Sequence, residues 1–239
     1  MKNQLNPFRI ALYADGANRD QMLKRYQEGL VQGFTTNPTL MAKAGIRDYS
    51  AFAKDILKTI KTMPISFEVF SDEFDEMERQ AIEINSWGQN VNVKIPITNT
   101  KGQPALKLIR RLFDLKMKLN ITALFTEEQL KGLREVLKPD DDAIISIFAG
   151  RIADTGVDPI RIMSNAVQSF LPFRAAKILW ASPREALNIY QADSCGCHII
   201  TLTDDLLSKV NLRNKSLEDY SLDTVKMFYK DATAAGFQL

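Results

Sequence analysis

The chain of 239 residues is 45% hydrophobic and 25% charged, with 11 Gly and 9 Pro, which excludes a disordered, collagen-like or coiled-coil protein. Its 31 Lys+Arg against 29 Asp+Glu leave a charge of +2 with no basic block, so there is no footprint for nucleic acid or for a membrane surface. Two cysteines, Cys195 and Cys197, make neither a disulfide framework nor a complete zinc site, which fits a reducing cytosol. The opening MKNQLNPFRI has no apolar signal core, and no apolar run approaches about 18 residues. The expectation is a soluble, cytoplasmic, compact protein.

In chain order, strands are expected at Arg9–Asp15, Gly33–Asn37, Ile65–Phe70, Val91–Pro96, Leu119–Leu124, Ala143–Phe148, Ala176–Ser182 and Cys197–Thr203. Helices are expected between them at Asp20–Val31, Tyr49–Thr62, Asp72–Trp87, Pro104–Leu119, Thr126–Leu137, Asp158–Leu171 and Pro183–Ala192. Thr126-Glu127-Glu128, Asp158-Pro159 and Ser182-Pro183 read as helix starts. Asp204–Val210 and Leu222–Ala235 supply a helical tail from about residue 204. Eight strands separated by crossover-length helices predict an α/β protein, a single (β/α)8 TIM barrel. The rival is a doubly wound open sheet, which would carry a Gly-rich nucleotide turn after its first strand. Asp15-Gly16-Ala17-Asn18 is not one.

Side chains alternate along a strand, so one face of each barrel strand packs on helices and the other enters the lumen. In Val91-Asn92-Val93-Lys94-Ile95 the apolar residues share a face and leave Asn92 and Lys94 on the other. The same parity separates Ser66 and Glu68, Asp15, Thr35 and Asn37, Asn120 and Thr122, and Ser146 and Phe148 from their apolar neighbours. In the seventh strand it sets Trp180 and Ser182 against Leu179 and Ala181. Polar groups thus converge near the strands' C-terminal ends, where barrel active sites lie. Solvated faces of an antiparallel sheet are the plainer reading, but helical spacers imply strands covered on both sides.

Lys94 stands out. A lysine in a covered strand is desolvated, which pushes its amine toward nucleophilic neutrality. Such an amine can attack a ketone, and the resulting imine is an electron sink for C–C cleavage. Glu68 and Asp15 supply inward carboxylates for proton transfer. His198 lacks partners for a metal site and reads as a core or supporting residue. Asp140-Asp141-Asp142 reads as a solvated loop, and Asp72 to Glu76 as an acidic helix start.

With these residues assembled, the chain resembles the transaldolase family, including its small members and the related fructose-6-phosphate aldolases. The resemblance rests on Gly33-Phe34-Thr35-Thr36-Asn37-Pro38-Thr39-Leu40, Val91-Asn92-Val93-Lys94-Ile95-Pro96, Asn120-Ile121-Thr122-Ala123 and Phe148-Ala149-Gly150-Arg151-Ile152. Tyr13-Ala14-Asp15 and Leu179-Trp180-Ala181-Ser182-Pro183-Arg184 match too, so the motifs run in order from first strand to last. The resemblance implies a metal-free, cofactor-free barrel that forms a Schiff base with a ketose phosphate. Lys94 matches the imine-forming lysine, and Asp15 the carboxylate that takes and returns the substrate's hydroxyl proton. Glu68 and Thr122 match the pair that positions the water of imine exchange. Asn37 and Asn120 match the asparagines on the dihydroxyacetone unit, with Thr35 and Ser146 lining the same pocket. Arg151, Ser182 and Arg184 match the phosphate-binding group. Pro183 stands where the family commonly has Phe and is expected to start a helix early and re-aim Arg184; Trp180 is bulkier than the usual residue. Sugar phosphates are the implied partners and a homo-oligomer the implied assembly.

Three functions compete. The first is transfer of a dihydroxyacetone unit between sugar phosphates, and the second is simple aldol cleavage releasing dihydroxyacetone. The third is a non-enzymatic sugar-phosphate sensor, which an intact Lys94–Glu68–Asp15 set disfavours. Relatives that cleave usually carry Gln at the Glu68 position and Tyr at the Phe148 position, so this sequence resembles the transferring branch. A transaldolase acting on another phosphorylated or sulfonated ketose is a variant of the same reading.

Overall fold

The structure is a computed structural model that describes Asn6 and residues 8–238. The reading of the N-terminal segment falls largely on residues 1–5 and Pro7, outside the described residues. Compact units run up to Leu207 and from Ser208 onward.

The first unit alternates strand and helix. β1 (Ala11–Asp15), β2 (Gly33–Thr35), β3 (Ile65–Glu68) and β4 (Val91–Pro96) form one half of the sheet; β5 (Leu119–Leu124), β6 (Ala143–Ile147), β7 (Lys177–Trp180) and β8 (Ile199–Leu202) form the other. Each pairs in parallel with the next, and β1 pairs with β8, closing an eight-stranded barrel. The expected TIM barrel is therefore what the chain forms. The crossovers are α1 (Arg19–Glu28), α2 (Pro38–Lys43) with α3 (Tyr49–Thr59), α4 (Phe74–Asn85), α5 (Leu106–Asp114), α6 (Glu127–Val136), α7 (Ala149–Asp154) with α8 (Ile160–Ser169), and α9 (Leu187–Ser194). α10 (Asp204–Lys209) follows β8.

Local chemistry sets these boundaries. Asn18, Asn37, Asp48 and Thr126 each cap a helix by accepting a backbone N–H three residues on, and Thr126 with Gln129 completes a capping box. The predicted overlap at Leu119 resolves because Lys116, at φ 61, ends α5 before the strand begins. The short helices α2 and α7, absent from the sequence reading, fall inside or beside the motif stretches. In the second unit α11 (Leu217–Ala235) starts five residues earlier than expected, where Ser216 accepts from the Asp219 N–H; none of its residues is buried.

Strand register assigns the lumen. Tyr13 pairs with Gly33 and Thr201, Asp15 with Thr35, Ser66 with Asn92, Glu68 with Lys94, Lys94 with Asn120, and Ser146 with Leu179. The opposite face carries Leu12, Phe34, Phe67, Val93, Ile95, Ile121, Ile145 and Ile178, all fully buried. Burying each such side chain contributes roughly 1.5–3 kcal/mol. Tyr13, Ile144, Leu179, Ala181 and Ile199 form a buried apolar cluster. Tyr13 dictates its neighbour: a Cβ on Gly33 would lie 2.4 Å from the Tyr13 ring, so only glycine fits.

Two parity readings are corrected. In β7, Leu179 shares the lumen cluster while Trp180 pairs with outward Ile147, so Trp180 is a wholly buried outer-face residue and does not crowd the pocket. In β5 the register slips between Ile121 and Leu124, with Ala123 at φ 59. Ala123 thereby lines the same cavity as Thr122 instead of alternating with it.

Candidate active site

At the C-terminal ends of the strands lies a cavity of 460 Å³. Of the twelve residues singled out from sequence, ten line it: Lys94, Asp15, Glu68, Thr122, Asn37, Thr35, Ser146, Phe148, Arg151 and Ser182. Lys94 is 6% exposed. Its Nζ lies 3.0 Å from Glu68 Oε2 and donates to the Thr36 carbonyl at 3.2 Å. Glu68 is the last residue of β3, and its peptide is pinned from outside the barrel. Tyr49 Oη accepts from the Glu68 N–H at 2.8 Å and donates to its carbonyl at 3.0 Å. The Tyr49 ring stands edge-on to Phe67, Phe70 and Trp87, and burial raises its hydroxyl pKa. In the sequence Tyr49 is only the first residue of a helix; its hydroxyl's destination is a tertiary fact.

Asp15, at the end of β1, is held by a hydroxyl. Thr35 Oγ1 donates to Asp15 Oδ1 at 2.8 Å and lies 2.5 Å from Thr201 Oγ1 of β8. Burial raises the Asp15 carboxyl above the usual carboxylate range, opposed by the Lys94 charge and the Thr35 hydrogen bond. The sequence reading misses Thr201, although it alternates with Ile200 and Leu202 as the other lumen residues alternate with theirs. Thr122 Oγ1 is buried and has no hydrogen-bond partner among the described residues, leaving a hydroxyl for a substrate or a water in the cavity.

Asn120 does not line the cavity. It is wholly buried beneath it, accepting from Ser146 Oγ at 2.7 Å and donating to Ser66 Oγ at 3.0 Å. Asn37 is at the mouth; its Oδ1 caps α2 through the Leu40 N–H, so its amide Nδ2 is the group left to the cavity.

The far side of the cavity suits an anion. Arg151 of α7 sits over the Phe148 ring, 5.7 Å from its centroid, and Phe148 packs on Phe125 at 5.6 Å. Ser182 has φ 56, a left-handed conformation that turns it toward the cavity after β7 ends. Gly150 makes room for that turn, since a Cβ there would lie 1.5 Å from the Ser182 carbonyl oxygen. Arg184 is elsewhere. Its Nε donates to Asp154 Oδ1 at 2.9 Å and its Nη2 to Asp154 Oδ2, and it does not line the cavity. Pro183 does not begin a helix: Asn188 Oδ1 takes the Arg184 and Glu185 N–H groups and the helix starts only at Leu187.

His198 is exposed, so it is not a core residue; its Nδ1 accepts the Ile178 N–H beside a hollow of 740 Å³ that Cys195 and Cys197 also line. Burial drives the Cys197 thiol up to about 12, which keeps it protonated, and holds His198 below its ordinary range. Asp140 and Asp141 are tied to Arg174 and Arg110.

The family described as Transaldolase/Fructose-6-phosphate aldolase matches residues 12–239. A probable transaldolase of Dehalococcoides mccartyi is 32% identical over 202 residues, covering 84% of this chain and 90% of that protein. One from Desulforamulus reducens is 32% identical over 223 residues, covering 91% and 98%. One from Streptococcus equi subsp. zooepidemicus is 34% identical over 203 residues, covering 84% and 90%. A solved structure described as "Native KDPGal structure" superposes with a TM-score of 0.50 at 13% identity, covering 82% of this chain and 83% of that one, a likeness of fold.

Proposed function

The chain belongs to the transaldolase/fructose-6-phosphate aldolase family, and on that premise we propose that it transfers a dihydroxyacetone unit from a ketose phosphate to an aldose phosphate through an imine on Lys94. The observation that carries this reading is the buried Lys94 Nζ, 3.0 Å from the Glu68 carboxylate in a cavity that Asp15 also lines. Glu68 accepts the ammonium proton, and the free amine attacks the ketone carbon. Glu68 and Thr122 hold the water that leaves as the imine forms. The Asp15 carboxylate then takes the proton of the hydroxyl beside the scissile bond. That C–C bond breaks, its electrons pass into the imine as an enamine, and the aldehyde departs. An acceptor aldehyde enters, the enamine carbon attacks it, Asp15 returns the proton, and water releases the new ketose. No oxidant, reductant or metal is needed for this balance. The reading carries with it a cytoplasmic homo-oligomer.

Transfer requires the enamine to survive until an acceptor arrives. Simple aldol cleavage ends differently, with protonation of that carbon and release of dihydroxyacetone. Phe148 lines the cavity with a ring that offers no proton, and this favours transfer. Phe148→Tyr is expected to raise acceptor-independent cleavage of fructose 6-phosphate by about tenfold while lowering transfer, since a phenol there can donate. Parallel assays with and without an aldose-phosphate acceptor check it. Wild-type cleavage without acceptor, unchanged in the variant, would instead assign the protein to the aldolases.

The phosphate falls to Arg151 and Ser182, because Arg184 is engaged by Asp154. Arg151→Ala is expected to raise KM for phosphorylated donors by roughly tenfold or more, with KM for dihydroxyacetone unchanged. Arg184→Ala is expected to raise it less. Steady-state kinetics on donor pairs with and without phosphate make the comparison.

A further inference from the structure

We propose that Thr201 is a positioning residue for Asp15: its hydroxyl donates to Thr35 and so commits the single Thr35 proton to the Asp15 carboxylate. Proton counting gives the direction. Thr35 Oγ1 has one hydrogen, and Asp15 Oδ1, at 2.8 Å, accepts it. The contact of 2.5 Å between the Thr35 and Thr201 hydroxyl oxygens also needs a hydrogen, and Thr201 alone has one left to give. The chain therefore runs Thr201 to Thr35 to Asp15. Thr35 is 2% and Thr201 5% exposed, so water does not compete well for either hydroxyl.

Two consequences follow for the proposed reaction, on which this inference rests. A hydroxyl that accepts a hydrogen bond is polarised and donates more strongly, so Thr201 strengthens the bond that favours ionised Asp15. And because Oδ1 is already an acceptor, Oδ2 is the oxygen left to take the substrate's proton. The other charged groups facing this carboxylate are Lys94 from β4, its partner Glu68 from β3, and Arg151 from α7 across the cavity. Lys94 also favours the ionised form. Thr201, which also lines the cavity, thus acts on the proton-transfer step through Thr35.

Thr201→Val keeps the shape and removes the hydroxyl; Thr201→Ser keeps the hydroxyl. With the valine variant, kcat at neutral pH is expected to fall about three- to tenfold, the worth of one hydrogen bond between neutral hydroxyls. KM should stay within about twofold, and the acid limb of the kcat profile should move to higher pH, because ionised Asp15 has lost support. The serine variant should restore both kcat and the limb. Borohydride trapping of the three-carbon adduct on Lys94 should succeed in all of them. If Thr201→Val does not fold, Thr201→Ala is read in the same way. A valine or alanine variant with the wild-type kcat and acid limb overturns the inference, and so does a serine variant that falls as far as valine. Failure to trap an adduct on wild-type Lys94 would instead overturn the imine reading itself, so the two failures are distinguishable.

Discussion

Lys94→Met is expected to lose turnover by roughly 10³-fold or more and to give no borohydride-trapped adduct with fructose 6-phosphate, where the wild-type protein adds a reduced three-carbon unit to the peptide carrying Lys94. Methionine keeps the bulk of the side chain in a site that is 6% exposed, so the loss is chemical more than steric. A separate cost falls on stability. Lys94 is the cation 3.0 Å from Glu68, whose side chain is 17% exposed, and removing it strands a largely buried carboxylate. That loss is about 1–3 kcal/mol, below the figure for a fully buried pair because Glu68 opens on the cavity. It should read as a fall in Tm of a few degrees. The double variant Lys94→Met with Glu68→Gln should regain most of that Tm and none of the activity. If Lys94→Met keeps turnover or labelling, the covalent mechanism is wrong.

Much of this arrangement is legible in the sequence because strand parity is a local property. Val91 to Ile95 alternates plainly, and so Lys94 is assigned to the lumen before any tertiary contact is known. Parity assigns a face and no depth, however. Lys94 and Asn120 are register partners, both on the lumen face, yet the long lysine side chain reaches the cavity and the short asparagine stays below it, bonded to Ser66 and Ser146. Where alternation is missing the face itself is undetermined. Ile178 to Ala181 is an unbroken apolar run, which is why parity alone sets Trp180 on the wrong side. The left-handed residues Ala123 and Ser182 break parity outright, and both border the cavity, where backbone strain tends to collect.

Long-range side-chain pairing is the other thing no local pattern carries. Arg184 has the right spacing from Ser182 for a phosphate fork, but Asp154, thirty residues earlier, takes its guanidinium. Tyr49 reaches nineteen residues along the chain to fix the Glu68 peptide. Thr201 meets Thr35 across the seam that closes the barrel, where the first two strands join the last. The contacts of Tyr49 and Thr201 set how a predicted residue performs, whereas that of Asp154 removes Arg184 from the residues that converge.

Asp15→Asn separates function from stability in opposite directions. The Asp15 carboxylate must be ionised to take the substrate's proton, so activity is present above its pKa and lost as pH falls through it. Burial raises that pKa, and the acid limb of the wild-type kcat profile should therefore lie above about 3.9, the value for a free aspartate. Asparagine cannot take the proton at any pH, and kcat is expected to fall by roughly 10²- to 10⁴-fold with the limb abolished. An adduct on Lys94 should still be trapped, now carrying the uncleaved six-carbon ketose phosphate, since imine formation needs Lys94 and Glu68 while C–C cleavage needs Asp15. Stability moves the other way. A carboxyl whose pKa is higher folded than unfolded favours folding at low pH, and that contribution disappears as pH rises through the folded value. At neutral pH the folded protein therefore bears the cost of a charge it would shed, even with Lys94 nearby. The asparagine side chain is neutral at every pH and keeps an Oδ1 to accept from Thr35. The variant's Tm should exceed that of the wild type at pH 7, and the gap should close as pH falls below the Asp15 pKa. An inactive variant with a lower Tm at pH 7 would mean that the Lys94 charge outweighs the burial of Asp15, and a fully active one would remove Asp15 from the reaction.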